Sequence, residues 1–161
     1  MNKKTFSTSQ LTGLVLLRLA IGWHFLYEGL IKIAMPNWSS YGYLMDSKGF
    51  MENFFHAITE QEQILQFADF LNMWGLVAIG LSLVMGLFSR PAIIAGIVLL
   101  AMYYLSHPAF LGLAYALPSE GSYFIVNKTL IELLALYVLF VFPTSKTIGL
   151  DRLIFRNSAS K

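Results

Sequence analysis

Four mostly apolar blocks, separated by polar connections that contain proline, run along the chain. The first, residues 11–35 (LTGLVLLRLAIGWHFLYEGLIKIAM), is about 25 residues long. As a helix it extends roughly 30–38 Å, enough for a hydrocarbon core. Residues 64–88 and 122–142 make two further spans, and residues 91–106 a shorter one of roughly 24 Å. Pro36 and the run Asn37–Ser40 close the first block. In the long connection 40–63, Phe50, Phe54, Phe55 and Ile58 recur at helical spacing beside Glu52, Asn53 and Glu60, the pattern of a short interfacial helix. Ser89–Arg90–Pro91 reads as a tight turn with Pro91 in the first turn of the next helix. His107–Pro108 breaks the third span, because the residue before proline is pushed out of helical geometry. Residues 109–117 stay apolar and are expected to dip back toward the membrane, and Pro118–Gly121 forms a turn. Pro143 stops the fourth span, and a basic amphipathic tail runs to Lys161. Ala78, Ser82 and Gly86, four apart, offer a small-residue face for close helix packing. The expected fold is an all-α membrane protein, one domain over residues 1–161, with a four-transmembrane-helix bundle and an interfacial helix in the first outer loop.

The spans are not uniformly apolar, and that changes the picture. Arg18, His24, Glu28 and Lys32 fall within an arc of roughly 120° on the first helix. Charge at membrane depth is costly and faces protein or water rather than lipid. Asn127, Lys128 and Glu132 lie in the first half of the fourth span. Counting 1.5 Å per residue from the ends that share one side puts Arg18 near Glu132, and His24 and Glu28 near Lys128. Two pairs are therefore expected, Arg18–Glu132 and Glu28–Lys128, with His24 between them. Such pairs can serve helix packing alone. Their gathering at matched depth points instead to a polar cavity, with His24, Glu28 and Lys128 as proton donors or acceptors. His24 has three readings: an interior histidine satisfied by a carbonyl, a proton carrier with a free pKa of about 6.5, or a metal or haem ligand. His107, at the end of the third span, sits at comparable depth, which makes a bis-histidine b-haem an alternative. Tyr103 and Tyr104, with Trp23, Tyr27 and Trp74, either stack on a flat ring or form an interfacial aromatic belt. Asp69 and Asn72 line the cavity mouth or face headgroups. Nothing resembles a nucleophile triad, a phosphate loop or a metal-ligand cluster.

Composition agrees with membrane insertion: 57% of residues are hydrophobic and 12% charged. A net charge of +2, scattered, does not suit nucleic-acid binding. The chain has no cysteine, so it offers no thiol relay, disulfide or cysteine-ligated cluster. Arg18 interrupts the first block early and no small-residue cleavage site follows, so the block reads as a retained span rather than a cleaved signal. Lys3, Lys4, Arg90, Lys146, Arg152, Arg156 and Lys161 fall on one side of a four-span arrangement, against Lys48 in the opposite loops. That bias places both termini in the cytoplasm.

The segments RLAIGWHFLYEGLIKI (18–33), NWSSYGYL (37–44), MYYLSHPAF (102–110) and YFIVNKTLIELLAL (123–136) together resemble the DoxX family of bacterial membrane proteins. The resemblance implies a four-helix inner-membrane bundle in a group that includes the small membrane subunits of thiosulfate:quinone oxidoreductase. It also implies a role beside soluble redox enzymes. Carried over residue by residue, it marks Arg18, His24, Glu28, Asn127, Lys128 and Glu132 as the core of a quinone-facing pocket.

The leading expectation is a membrane subunit of an oxidoreductase that passes electrons to quinone. His24, Glu28 and Lys128 supply protons; Arg18, Asn127, Glu132, His107 and Tyr104 bind the ring. No covalently bound cofactor or metal is expected. A soluble or membrane redox partner is implied, docking on the outer loop 36–63, and a second copy of the chain is a further candidate partner. The alternatives are a non-catalytic anchor for a redox partner and a b-haem protein.

Overall fold

The computed structural model describes residues 6–117 and 124–155. The expected turn at 118–121, the first residues of the expected fourth span and the tail from 156 to Lys161 lie outside the described residues. Those described are all-helical apart from turns and loops: α1 (Thr8–Ala34), α2 (Tyr41–Met45), α3 (Glu52–Thr59), α4 (Glu62–Met85), α5 (Ser89–Ser106), α6 (Lys128–Val141) and α7 (Asp151–Phe155). Three of these, α1, α4 and α5, are long and apolar enough to cross a bilayer. The protein is therefore a multi-pass membrane protein.

Helix α1 starts from a capping box, in which Ser7 and Gln10 exchange side chain to backbone hydrogen bonds. Its buried face is Arg18, Ile21, Gly22, Phe25 and Gly29, the i, i+3, i+4 spacing of one helical stripe. Leu16, Trp23, Tyr27 and Leu30 point outward. In water such an apolar exterior would be a liability, but in a bilayer it is the lipid contact surface. Trp74 is likewise exposed, so Trp23, Tyr27 and Trp74 belong to this outer surface and not to a ring-stacking site.

Helices α1, α4, α5 and α6 pack in a cycle, α1 on α4, α4 on α5, α5 on α6 and α6 on α1. Ile21, Phe25, Leu76, Ile79, Leu83, Leu100, Leu136 and Leu139 fill the middle. The α1–α4 contact is the closest. A Cβ on Gly80 would lie 2.4 Å from the backbone nitrogen of Leu26 and 2.7 Å from the Gly22 carbonyl oxygen. The small-residue face is thus Gly80 against Gly22, with Gly29 against Val77 one crossing further along. It is not the expected Ala78–Ser82–Gly86 row: Ala78 is exposed, and Gly86 ends the helix in a left-handed conformation at φ 65°.

Helix α6 is shorter than expected. Asn127 caps it, its side chain accepting from the Leu130 amide at 2.9 Å, so the helix starts at Lys128 and runs roughly 21 Å. Beyond α6 the chain folds back on the α4–α5 turn. The Leu150 amide donates to Met85, and the Asp151 carboxylate accepts from the Phe88 and Ser89 amides at the start of α5. At the opposite end, α2, α3 and residues 107–117 form a cover. The third span ends at Ser106 with His107 as its cap, as the His107–Pro108 pair predicts, and α3 forms where the spacing of Phe50, Phe54, Phe55 and Ile58 predicts a short helix.

Candidate functional site

One cavity of about 870 Å³ opens between α1, α4, α5, α6 and the cover. Its apolar wall comes from Phe25, Leu76, Leu100, Phe110, Leu113 and Leu117. The apolar segment 109–117 thus lines the cavity. Three polar groups interrupt that wall.

The first is His24 with Glu132. Nδ1 of His24 lies 2.7 Å from Oε1 of Glu132, and Glu132 is largely buried. Glu28, one turn along α1, and Asn127 and Lys128, at the start of α6, line the same space. The second group sits one turn beyond Glu28. Lys32 Nζ donates to Asn72 Oδ1 at 3.0 Å and lies 3.5 Å from Tyr103 Oη. Asn72 Nδ2 donates to Tyr103 Oη at 2.6 Å, and the ammonium rests over the rings of Trp38 and Tyr103. The third group is His107 in the cover. Its ring stacks on Tyr43 at 4.0 Å and meets Tyr115 at 4.7 Å. Its Nδ1 is 2.9 Å from Ser106 Oγ, and its Nε2 is 3.9 Å from Asp46 Oδ2.

Asp46 fastens the cover. Its two carboxylate oxygens accept from the amides of Ala116 and Leu117 at 3.0 and 2.9 Å, and Lys48 donates to the Ala114 carbonyl. Those amide bonds hold the Asp46 carboxyl below its ordinary range. Burial holds His107 below its ordinary value against the opposing pull of Asp46, and burial raises the Tyr43 and Tyr115 phenols.

The structure brings together His24, Glu28, Asn127, Lys128, Glu132 and His107, all expected at the site. It separates Arg18 and Tyr104 from them. Arg18 is buried at 3% exposure near the α4–α5 turn, where Nη1 donates to Thr144 at 3.0 Å. Ser89, Arg90 and Ser145 share its small crevice. The expected Arg18–Glu132 pair therefore does not form, and His24 takes Glu132 instead. Counting depth from span ends assumes that the ends are flush. Because α6 stops at Val141, the residue level with Arg18 is Thr144. Glu28 and Lys128 share the cavity wall with His24, whose ring contacts Glu132. Tyr104 turns away from the cavity and donates to the Ile125 carbonyl at 2.8 Å. Asp69, the other residue considered at the mouth, instead accepts from the Ser40 amide at 2.8 Å and from its hydroxyl.

Lys32 was expected on the polar face of the first helix, Asn72 at the cavity mouth or the headgroups, and Tyr103 against a flat ring or in an aromatic belt, but their meeting in one hydrogen-bonded group was not expected. The signal for Lys32 was present, since it continues the i, i+4 row of His24 and Glu28. Asn72 and Tyr103 come from other helices, and only packing brings them to it. Among the described residues no group of three or more histidine, aspartate or glutamate side chains is placed to hold a metal ion. A sequence model of the DoxX family matches residues 13–109. No curated protein and no solved structure matches the chain.

Proposed function

The chain belongs to the DoxX family, and from that premise we propose that it is the inner-membrane subunit of an oxidoreductase system, offering quinone an intramembrane pocket. The observation that carries the reading is the His24–Glu132 contact at 2.7 Å on the wall of an otherwise apolar cavity of about 870 Å³. That size suits a small lipophilic ligand, and the few convergent polar groups suit its orientation. The residues fit a quinone: apolar walls for the ring and tail, donors for its oxygens. Bound there, quinone supplies the electron-accepting ring. The chain holds and moves protons. An imidazolium donates from both ring nitrogens, so His24 can stay bonded to Glu132 through Nδ1 while Nε2 serves the ligand. Glu132 then orients the ring and balances its charge, and Glu28 and Lys128 stand next in line for proton exchange. Electrons come from a redox partner on the outer face, at the loop 36–63.

In this reading α6, with the segment that precedes it, completes a fourth crossing, and both termini face the cytoplasm. The lysine and arginine bias supports that orientation. The test is titration of a decyl-substituted benzoquinone into purified protein, with quinone reduction measured in membranes carrying His24→Ala. Micromolar affinity and slowed reduction are expected. Absence of affinity together with normal reduction in the variant refutes the proposal.

The anchor reading has one observation in its favour: Phe50 and Phe54 stand exposed around the start of α3, at 75% and 48%, where a partner would dock. The haem reading draws none from His107, whose ring lies between Tyr43 and Tyr115 with Nε2 toward Asp46.

A further inference from the structure

The hydrogen-bond directions around Lys32 can be worked out without seeing a hydrogen. An ammonium has only donors, so the Asn72 atom facing it must be the carbonyl oxygen. The Asn72 amide nitrogen therefore faces Tyr103 and donates to its oxygen. Lys32, at 3.5 Å, also presents N–H to that oxygen. Tyr103 Oη is thus surrounded by donors, and its own proton has no acceptor within the cluster. Among the described residues no hydrogen bond takes it. Lys32 likewise keeps an N–H beyond those directed at Asn72 and Tyr103. Both side chains line the cavity. Asn72 therefore acts as a wedge that forces two donors to remain available to whatever the cavity holds. A site with that donor set recognises an acceptor oxygen.

We infer that Lys32, Asn72 and Tyr103 form a second anchor, which holds one carbonyl oxygen of the ligand while His24 meets the other. The inference rests on the quinone reading above and adds residues on two further helices to it. Lys32 lies two helical turns from His24, roughly 12 Å along the axis. Side chains in a helix lean toward its N-terminus, so the Lys32 stem leans back toward His24. A ring with carbonyls at opposite ends fits between the two groups, and a ligand with a single polar head engages only one of them. Tyr103 and Lys32 bind the ligand in this scheme, and Asn72 is the positioning residue that orients them both.

The experiment titrates decyl-substituted benzoquinone into the full-length detergent-solubilised protein, read by quenching of tryptophan fluorescence, to which Trp38 contributes beside Lys32. Tyr103→Phe removes one proton donor and keeps the ring packing, so affinity is expected to fall by roughly 3–10-fold. Lys32→Met is expected to cost roughly 10–100-fold. Leu134→Ala, on the outer surface, is expected to bind as wild type. Thermal melting of Tyr103→Phe, expected near wild type, separates lost binding from lost folding. If wild type binds and Tyr103→Phe and Lys32→Met bind equally well, the second anchor is wrong while the quinone pocket stands. If wild type does not bind quinone, the pocket reading falls and the anchor with it. Binding of decanoic acid in preference to quinone, abolished by Lys32→Met, overturns the two-ended hold by showing a site for a single acidic head.

Discussion

Replacing Gly80 with alanine tests the contact on which the cavity depends. The added methyl would sit 2.4 Å from the Leu26 nitrogen, 2.7 Å from the Gly22 oxygen and 2.7 Å from the Leu26 Cα. All three are backbone atoms of α1, and no rotamer change relieves them. The helices must separate, or α1 must slide. Overpacking of this kind costs about 1–3 kcal/mol, and a rigid backbone neighbour argues for the upper half of that range. Exchange of glycine for alanine inside a helix returns up to about 1 kcal/mol. The net expectation is a loss of about 1–2 kcal/mol. Gly75, also in α4, is the control: nothing lies within 4 Å of its Cβ position, so Gly75→Ala is expected to gain about 0.5–1 kcal/mol. Reversible unfolding in mixed micelles with increasing SDS, followed by helical circular dichroism, measures both. The two variants should differ by about 2–3 kcal/mol with opposite signs. If Gly80→Ala is as stable as Gly75→Ala, the close α1–α4 approach is wrong, and so is the placing of the His24–Glu28–Lys32 row against Asn72.

Glu132→Gln should cost less than about 1 kcal/mol in stability, because His24 is 42% exposed and the pair is partly screened, yet weaken quinone binding several-fold; equal losses in both readouts would mark the pair as structural. Arg18→Met should do the reverse, destabilising by about 1–3 kcal/mol through the lost Thr144 hydrogen bond and leaving quinone affinity unchanged in a titration of the same protein. Acid should loosen the cover. Both His107 and Asp46 have depressed folded-state values, so their contributions are full above the ordinary values of 6.5 and 3.8 and are lost as pH falls through the lower ones. Hydrogen exchange of the 110–117 amides, corrected for intrinsic rates, should rise first below about pH 6.5 and again in the carboxylate range, and Asp46→Asn should remove the second step. A pH-independent pattern would show that these two groups do not hold the segment.

Much of this protein was legible along the chain, and the reason is that a bilayer is a demanding solvent. Blocks of apolar residues long enough to cross it declare α1, α4 and α5 without any knowledge of their neighbours. The His107–Pro108 break and the α3 helix follow from local chemistry in the same way. So does the inward row of α1, since lipid rejects charge and leaves His24, Glu28 and Lys32 only the protein interior. The start of α6 was less legible, because Asn127 reads equally well inside a polar half-span or as its cap. Partners were the least legible. Whether Glu132 meets Arg18 or His24, whether Gly80 or the Ala78 row carries the helix contact, and whether Asn72 joins Lys32 depend on the stagger and rotation of one helix against another. Those quantities are set by side chains distant in sequence, summed over the whole contact surface. A linear pattern specifies which face of a helix turns inward. Only the packed structure decides what that face meets.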